Sequence, residues 1–328
     1  MARIRVPLNN FERGEVSPSM TSRTDLNVYV QSAEKVRNFF LMAEGGLRRR
    51  PGTEFIHKFS TVTVDTSKRL QVRIEPFLFS DDERYIVAFS AGRCDFFRIV
   101  ASTGAISHIQ ALTQDTDSAT LPWTVDTVEA TTFAQSADNM FVCHSTHQPM
   151  RIVRTSLTAF EVRKYVFDTT TADDETFQPY FSFQASGVTL TPQATSGTGK
   201  TMTTSSDYWV SGHVGKIIRY AGNEILIGIA RSRALSTSAT VVTGTIRKTL
   251  SATTASTNWD EQVFSSVRGF PSAVTFHEDR LWFAGTTSRP DGIFSSKVSE
   301  YFNFDVGTAL ANESIQFSIS AGEFNTIR

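Results

Sequence analysis

The chain has 328 residues, 40% hydrophobic and 20% charged, with 32 basic against 33 acidic side chains. Two or three domains fit in that length, and a net charge of -1 with a pI near 6.6 excludes bulk electrostatic binding of nucleic acid, leaving only local basic patches. No stretch is apolar for long enough to predict a membrane span, and two cysteines, Cys94 and Cys143, frame neither a disulfide scaffold nor a zinc cluster.

Residues 1–23 are polar, punctuated by proline and without period, which predicts an extended arm. The opening MARIRVPLNNFERGEVSP has no apolar run of the secretory kind, so the chain is expected to stay where it is made. From Thr24 the residues Leu26, Tyr29, Val30, Ala33, Val36 and Phe40 share a helical face, with Thr24 as N-cap and Gly45-Gly46 as the stop. Arg48-Arg49-Arg50 then reads as a basic turn, closing a first segment over 1–53, and Glu54 to Phe59 as the first strand.

High Thr and Phe usage with few amphipathic stretches predicts an all-β body. Three segments share one pattern of strand, polar turn, apolar return strand, second turn and third strand. In the first, Phe77 and Phe79 precede Asp81-Asp82-Glu83, Tyr85 to Phe89 return, Ala91-Gly92 turn, and Phe96 to Ile99 follow. The second runs through Phe133, Ser136 to Asn139, Met140 to Cys143 and Arg151 to Val153. The third is the most regular: Val274 and Phe276, the turn His277-Glu278-Asp279, Leu281-Trp282-Phe283, the turn ending Arg289-Pro290-Asp291-Gly292, then Ile293 to Ser296, with Tyr301, Phe302 and Phe304 as an aromatic edge. Such recurrence predicts propeller-like blades, although any antiparallel meander reads similarly. Phe79, Phe89, Phe133, Phe141, Phe276, Leu281 and Phe283 are the expected core. The blades occupy 54–167 and 266–328. Between them 168–265 turns rich in Thr, Ser and Gly, with strands expected at Phe181 to Phe183, Lys216 to Tyr220, Glu224 to Ile229 and Thr240 to Ile246, as in a small inserted β-domain.

Candidate chemistry is sparse. Ala194 to Thr201 matches a relaxed phosphate-loop pattern, but Val188 to Pro192 alternates like an exposed strand and Met202 to Ser206 has weak helix propensity, so a flexible loop is the expectation. Cys143, His144 and His147 are close in sequence without a second ligand cluster, as where a strand end runs into a loop. His277-Glu278 lacks a second histidine. Asp81-Asp82-Glu83 and Asp173-Asp174-Glu175 are acidic runs of the solvated type. Thus no catalytic, cofactor or metal residues are assigned. Arg48, Arg49 and Arg50 suit an acidic protein surface better than DNA, for which no further basic stripe exists.

Gly14-Glu15-Val16-Ser17-Pro18, Arg23-Thr24-Asp25-Leu26, Tyr29, Asn38, Gly45-Gly46-Leu47 and Arg49-Arg50-Pro51-Gly52-Thr53 together resemble the N-terminal signature of tail nozzle, or tail tubular, proteins of short-tailed bacteriophages. Phe270-Pro271 to Phe304, above all Arg280 to Gly285 and Ser296-Lys297, is similar to a second block of that family. Members are often much longer, so a truncated product, a short relative or one fragment of a larger nozzle is expected. The resemblance implies a non-enzymatic virion protein, made in the host bacterial cytoplasm and assembled as a ring, a hexamer by analogy. That ring would dock on portal or adaptor proteins, meet tail fibre or needle proteins, and pass genomic DNA without sequence recognition. Arg23, Asp25, Tyr29, Arg48, Arg49 and Arg50 become its expected assembly residues. Two rivals are a receptor- or glycan-binding protein using Tyr208, Trp209 or Trp259 as exposed stacking platforms, and a glycan depolymerase with two converging carboxylates.

Overall fold

The structure is a computed structural model that describes residues 10–20, 22–59, 72–170, 175–227, 239–319 and 327. At 43% strand and 4% helix it is nearly all β, in several antiparallel sheets of which none closes on itself. No described helix is long and apolar enough to cross a membrane. The chain divides into two compact units, Met1–His57 and Lys58–Arg328.

In the first unit the long helix expected from Thr24 is corrected to one turn, Asn27–Val30. Its N-cap is Leu26, which offers no side-chain acceptor, and Ser32 Oγ donates to the Val28 carbonyl (2.6 Å), competing with helical continuation. Phe39 and Phe40 belong instead to a hairpin of β1 (Phe39–Leu41) and β2 (Leu47–Arg49), with Phe40 opposite Arg48 and Phe39 opposite Arg49. Gly45-Gly46, the expected helix stop, forms the hairpin turn. Gly45 has φ +85°, a left-handed conformation that favours glycine. Arg48 and Arg49 are therefore strand residues, not a turn, and Arg50 N–H closes the ladder on Asn38 O (2.9 Å). No strand forms at Glu54 to Phe59. The described part of the expected free arm is tied down by backbone bonds: Phe11 N–H to Gly45 O (2.7 Å), Ala33 N–H to Gly14 O (2.9 Å) and Val16 N–H to Ala33 O (3.0 Å). Residues 1–9 lie outside the described residues.

The second unit opens with a four-stranded meander of β3 (Arg73–Leu78), β4 (Glu83–Ser90), β5 (Arg93–Val100) and β6 (Ile106–Leu112). A second follows in β7 (Thr132–Ser136), β8 (Asn139–His144), β9 (His147–Ser156) and β10 (Ala159–Lys164). Next come β11 (Tyr180–Phe181), β12 (Leu190–Pro192), β13 (Gly197–Thr204), β14 (Ile217–Tyr220), β15 (Asn223–Ile227), β16 (Val241–Ile246) and β17 (Trp259–Gln262), forming one sheet in the order β11-β17-β14-β15-β16-β13-β12. The last meander is β18 (Ala273–His277), β19 (Arg280–Ala284), β20 (Gly292–Ser295) and β21 (Gln316–Ser318). Its first turn is the two-residue loop Glu278-Asp279, at φ 48° and 54°, whose left-handed pair matches the twist of a tight hairpin.

The meanders stack in chain order. Strand β8 is buried on both faces: Met140 and Val142 enter a core with the first sheet, Phe141 and Cys143 a core with the last. At the centre of the first core Phe160 stacks on Phe96 (4.4 Å) and meets the edges of Phe77 and Tyr85 at 5.3 and 5.1 Å. In the second, Phe283 stacks on Phe304 (5.4 Å) and meets Tyr165 edge-on. Sheets align first strand to first and last to last. Gln135 makes two bonds to the Leu78 backbone across β7 and β3, and Gln110 does the same to Phe160 across β6 and β10. Thr132 Oγ1 then donates to Ser272 O (2.8 Å), just before β18.

Of the expected core, Phe89, Phe141, Leu281 and Phe283 are buried, while Phe133 and Phe276 are half-buried against it. Phe79 is a correction. It lies past the end of β3, 39% exposed, with the Arg154 guanidinium 3.7 Å above its ring. Phe304 is core rather than edge. The loop expected at 194–201 is corrected as well, since from Gly197 it is strand β13, paired with both β12 and β16, and Leu190 and Pro192 of β12 are buried rather than exposed.

Truncating Phe160 to Ala is expected to cost about 3–5 kcal/mol, as for other buried aromatics, whereas Phe79→Ala should cost no more than about 1 kcal/mol. Urea unfolding of both variants checks this, and comparable losses would contradict the two-core arrangement.

Candidate functional site

The first unit has an unusual surface. Among its described residues no apolar side chain is buried, yet Phe39, Phe40 and Leu41 are 48%, 54% and 46% exposed, with Tyr29, Val30, Met42, Phe55 and Ile56 exposed beside them in sequence. Hydrogen bonds hold its backbone, but these apolar side chains stay exposed, and exposed apolar surface is what interaction sites are built from. The expected assembly residues are distributed over it. Arg23 clamps Asp25 with two bonds of 2.9 Å, raising its own pKa and lowering that of the carboxylate, on a fully solvated surface. Tyr29 lies on the helical turn, while Arg48 and Arg49 extend from β2 with no ion pair among the described residues. Sequence reasoning missed Phe39 to Met42, because their spacing with Leu26 and Val36 mimicked a helical face.

Two buried ionic networks tie the seven-stranded sheet together. Glu261 on β17 is fully buried, and its Oε2 accepts from Tyr208 OH (2.7 Å) and from Arg268 Nε and Nη2 (2.8 and 2.7 Å). His213 Nδ1 lies 2.9 Å from the Val210 N–H, and its Nε2 is 3.3 Å from Glu261 Oε1. Burial opposes ionisation of Glu261, but His213, Arg268 and Tyr208 hold its pKa below the ordinary value. Glu224 on β15, also fully buried, accepts from Tyr180 OH (2.5 Å) and Thr176 N–H, with Arg247 at 3.4 Å and Arg219 at 3.8 Å. Here burial wins and the pKa rises, despite Tyr180, Thr176 and the arginines. Neither carboxylate reaches solvent, so both networks are structural pins.

These contacts also correct the expected stacking platforms. Trp209 and Trp259 are 3% and 1% exposed, and Tyr208 is half-buried against both, in the insert's own core. Cys143 is buried in the second core, which raises its thiol pKa, and it does not converge with His144 and His147 as a ligand set. The two imidazoles stack at 5.4 Å on the β8–β9 hairpin, and burial lowers both pKa values. His277 and Glu278 are exposed and 3.8 Å apart. Asp81 and Asp82 lie in an open turn, Glu83 pairs with Arg154 (3.1 Å) and Glu175 with Lys248 (3.2 Å), and Asp173 and Asp174 fall outside the described residues. Lys200, the lysine of the phosphate-loop pattern, lies on β13 opposite Gly244, with no helix after it.

A cleft of about 710 Å³ lies along β18 and β19 with Trp282, Ile293 and Phe317 as its apolar wall, and its one carboxylate, Glu75, is bound to Arg73 (2.7 Å). A smaller one of about 430 Å³ brings Asp117 and Asp168 together with Arg151, Arg163 and Lys164. Lys164 holds Asp117 at 3.0 Å, while burial, and secondarily Glu300, raises the pKa of Asp168.

The two buried glutamates differ in sign. A depressed carboxylate contributes stability that is present at neutral pH and lost as pH falls through the folded pKa. A raised one favours the protonated form, and its contribution is lost as pH rises through that value. Glu261→Gln is therefore expected to cost about 3 kcal/mol at neutral pH and to flatten the acid limb of stability, because Arg268 is left buried beside a neutral partner. Glu224→Gln, which mimics the favoured neutral form, should cost less. Chemical denaturation of both variants at neutral and mildly acid pH measures the difference, and a larger loss for Glu224→Gln reverses the assignment.

A scan of the sequence against protein-family models gives no match, and a search of curated proteins gives none either.

Proposed function

We propose that this chain is a structural, non-enzymatic component of a phage tail that assembles as a ring below the portal or adaptor and encloses a channel for ejected DNA. The observation that carries this reading is the first unit, whose exposed Phe39, Phe40, Leu41 and Met42 have no core of their own. A segment ordered by backbone bonds while its apolar side chains stay in water gains its stabilisation on a partner. The three stacked meanders add support. Radial propeller blades pack in the same way, with first strands side by side and each middle sheet buried on both faces. A net charge of -1 suits a wall that lets DNA slide past, since many basic contacts would retain it. On the resemblance of its two sequence blocks, the ring has six copies and meets fibre or needle proteins at its far end.

Electron microscopy of the purified protein, alone and added to tails, tests the reading. Closed rings or tail-bound density are expected, and a chain that stays monomeric and leaves tails undecorated overturns it. Replacing Arg48, Arg49 and Arg50 by Ala should weaken association, with a smaller effect at high salt, where such charges are screened over about 3–10 Å. The glycan-directed rival has one foothold, the cleft of Asp117 and Asp168. Polysaccharide cleavage abolished by Asp168→Asn would establish it in place of the structural reading.

A further inference from the structure

We propose that copies of this chain join head to tail, strand β1 of one copy adding to the free edge of β21 in the next, so that the β1–β2 hairpin extends the last meander from four strands to six. The proposal rests on the self-assembly reading above and names the contact that would carry it.

The acceptor is an edge that stays unpaired among the described residues. β21 pairs with β20 on one side and with no described strand on the other. Ile315 and Ile319 direct backbone groups inward, Ile315 O accepting Ser295 N–H (2.8 Å) and Ile319 N–H donating to Asp291 O (3.0 Å), so by alternation those of Gln316 and Ser318 point outward. Ile315, Phe317 and Ile319 recur at every second position on one face and are 41%, 44% and 46% exposed. None of the usual guards interrupts this edge: no lysine, proline or bulge falls within it. Phe317 also continues the apolar wall of the large cleft, opposite Ile293 and edge-on to Trp282 at 6.4 Å.

The donor is a strand pair that lacks a sheet. A two-stranded hairpin is marginal alone, and at least a third strand is needed for independent stability. β1 has only β2 as a partner among the described strands, and Phe39 and Leu41 project from one face at the same two-residue spacing as Phe317 and Ile319. Laid beside β21, they would extend that apolar face by one strand. Charge matches as well. Segment 37–50 carries four arginines and one glutamate, a net +3, while 271–319 carries six carboxylates and three basic side chains, a net -3. Opposite fields of this kind select a second copy over an unrelated neutral surface and speed encounter. Because donor and acceptor are different surfaces, the contact is heterologous, and such contacts propagate around a ring rather than closing a two-fold dimer.

Sedimentation velocity on the full chain tests the contact with Phe39→Lys on the donor and Phe317→Lys on the acceptor, both at exposed positions, with circular dichroism checking that each folds. Wild type is expected to form species above monomer and each variant to lose them. An equimolar mixture of the two should then give a dimer and nothing larger, since only one complementary pair of surfaces survives. Ser318→Pro removes an outward N–H of the edge without removing apolar surface, and should behave as Phe317→Lys does. Variants that assemble like wild type would overturn the contact while leaving the ring reading intact. Variants that stay monomeric when mixed would show that these surfaces do not meet between copies, and a wild type that is monomeric throughout would remove the contact and the ring reading together.

Discussion

A β-sheet buried on both faces cannot stand alone, and that constraint at β8 organises the larger unit. With Met140 and Val142 facing one way and Phe141 and Cys143 the other, the second meander needs a partner sheet on each side. The first and last meanders meet that need, and the aromatic clusters around Phe160 and Phe283 fill the two gaps. Backbone acceptors and donors left between stacked sheets are taken up by amide side chains. Gln135 and Gln110 each satisfy an N–H and a C=O on the neighbouring sheet, which fixes the alignment that hydrophobic packing alone would leave free to slide.

The insert sits beside this stack on different principles. Its core holds Trp209 and Trp259, and the carboxylates of Glu261 and Glu224 are buried among arginines and tyrosine hydroxyls rather than apolar groups. Hydrophobic contacts tolerate small displacements, but a buried charge with several directed partners does not, so these networks restrict the register of β17, β14 and β15. The last meander is tied to the same sheet by Gln316, whose amide donates to Tyr180 O (2.8 Å). One face of β21 is thereby occupied, and its outer edge has no partner among the described strands.

How much of this was legible depended on how local the cause was. The turn at Glu278-Asp279 and the apolar return Leu281 to Phe283 are short-range signals, and strands formed where they indicated. The fourth strands of the first and last meanders carry weak signals. β6 is nowhere fully buried and so lacks an apolar rhythm, and β21 follows β20 only after a long excursion through Phe304. Trp209 and Trp259 look solvated in sequence, as the glycan-binding alternative requires, because they lie in a Ser- and Thr-rich stretch. Their burial depends on strands far away in sequence, as the bond from Trp259 Nε1 to Val188 O (3.1 Å) illustrates. The pairing of Glu261 with Arg268 joins β17 to the turn after it, a stretch over which the sequence predicts no strand, so nothing local announced it.

The failure over Thr24 to Phe40 is the most informative. Helical periodicity can arise by coincidence when a turn, a bridge and a strand follow one another, and here nothing secured a helix: the N-cap is Leu26 and Ser32 competes for the Val28 carbonyl. A true amphipathic helix would have buried its apolar stripe against its own unit. A hairpin of the same residues places Phe39 and Leu41 on one face and Phe40 on the other, and a two-stranded sheet has no interior to receive either. Conversion from helix to hairpin thus changes the meaning of the apolar residues, from candidate core to surface, without changing one of them. That is why the segment that pairs as a hairpin instead of coiling as a helix is also the segment with the strongest claim to a partner.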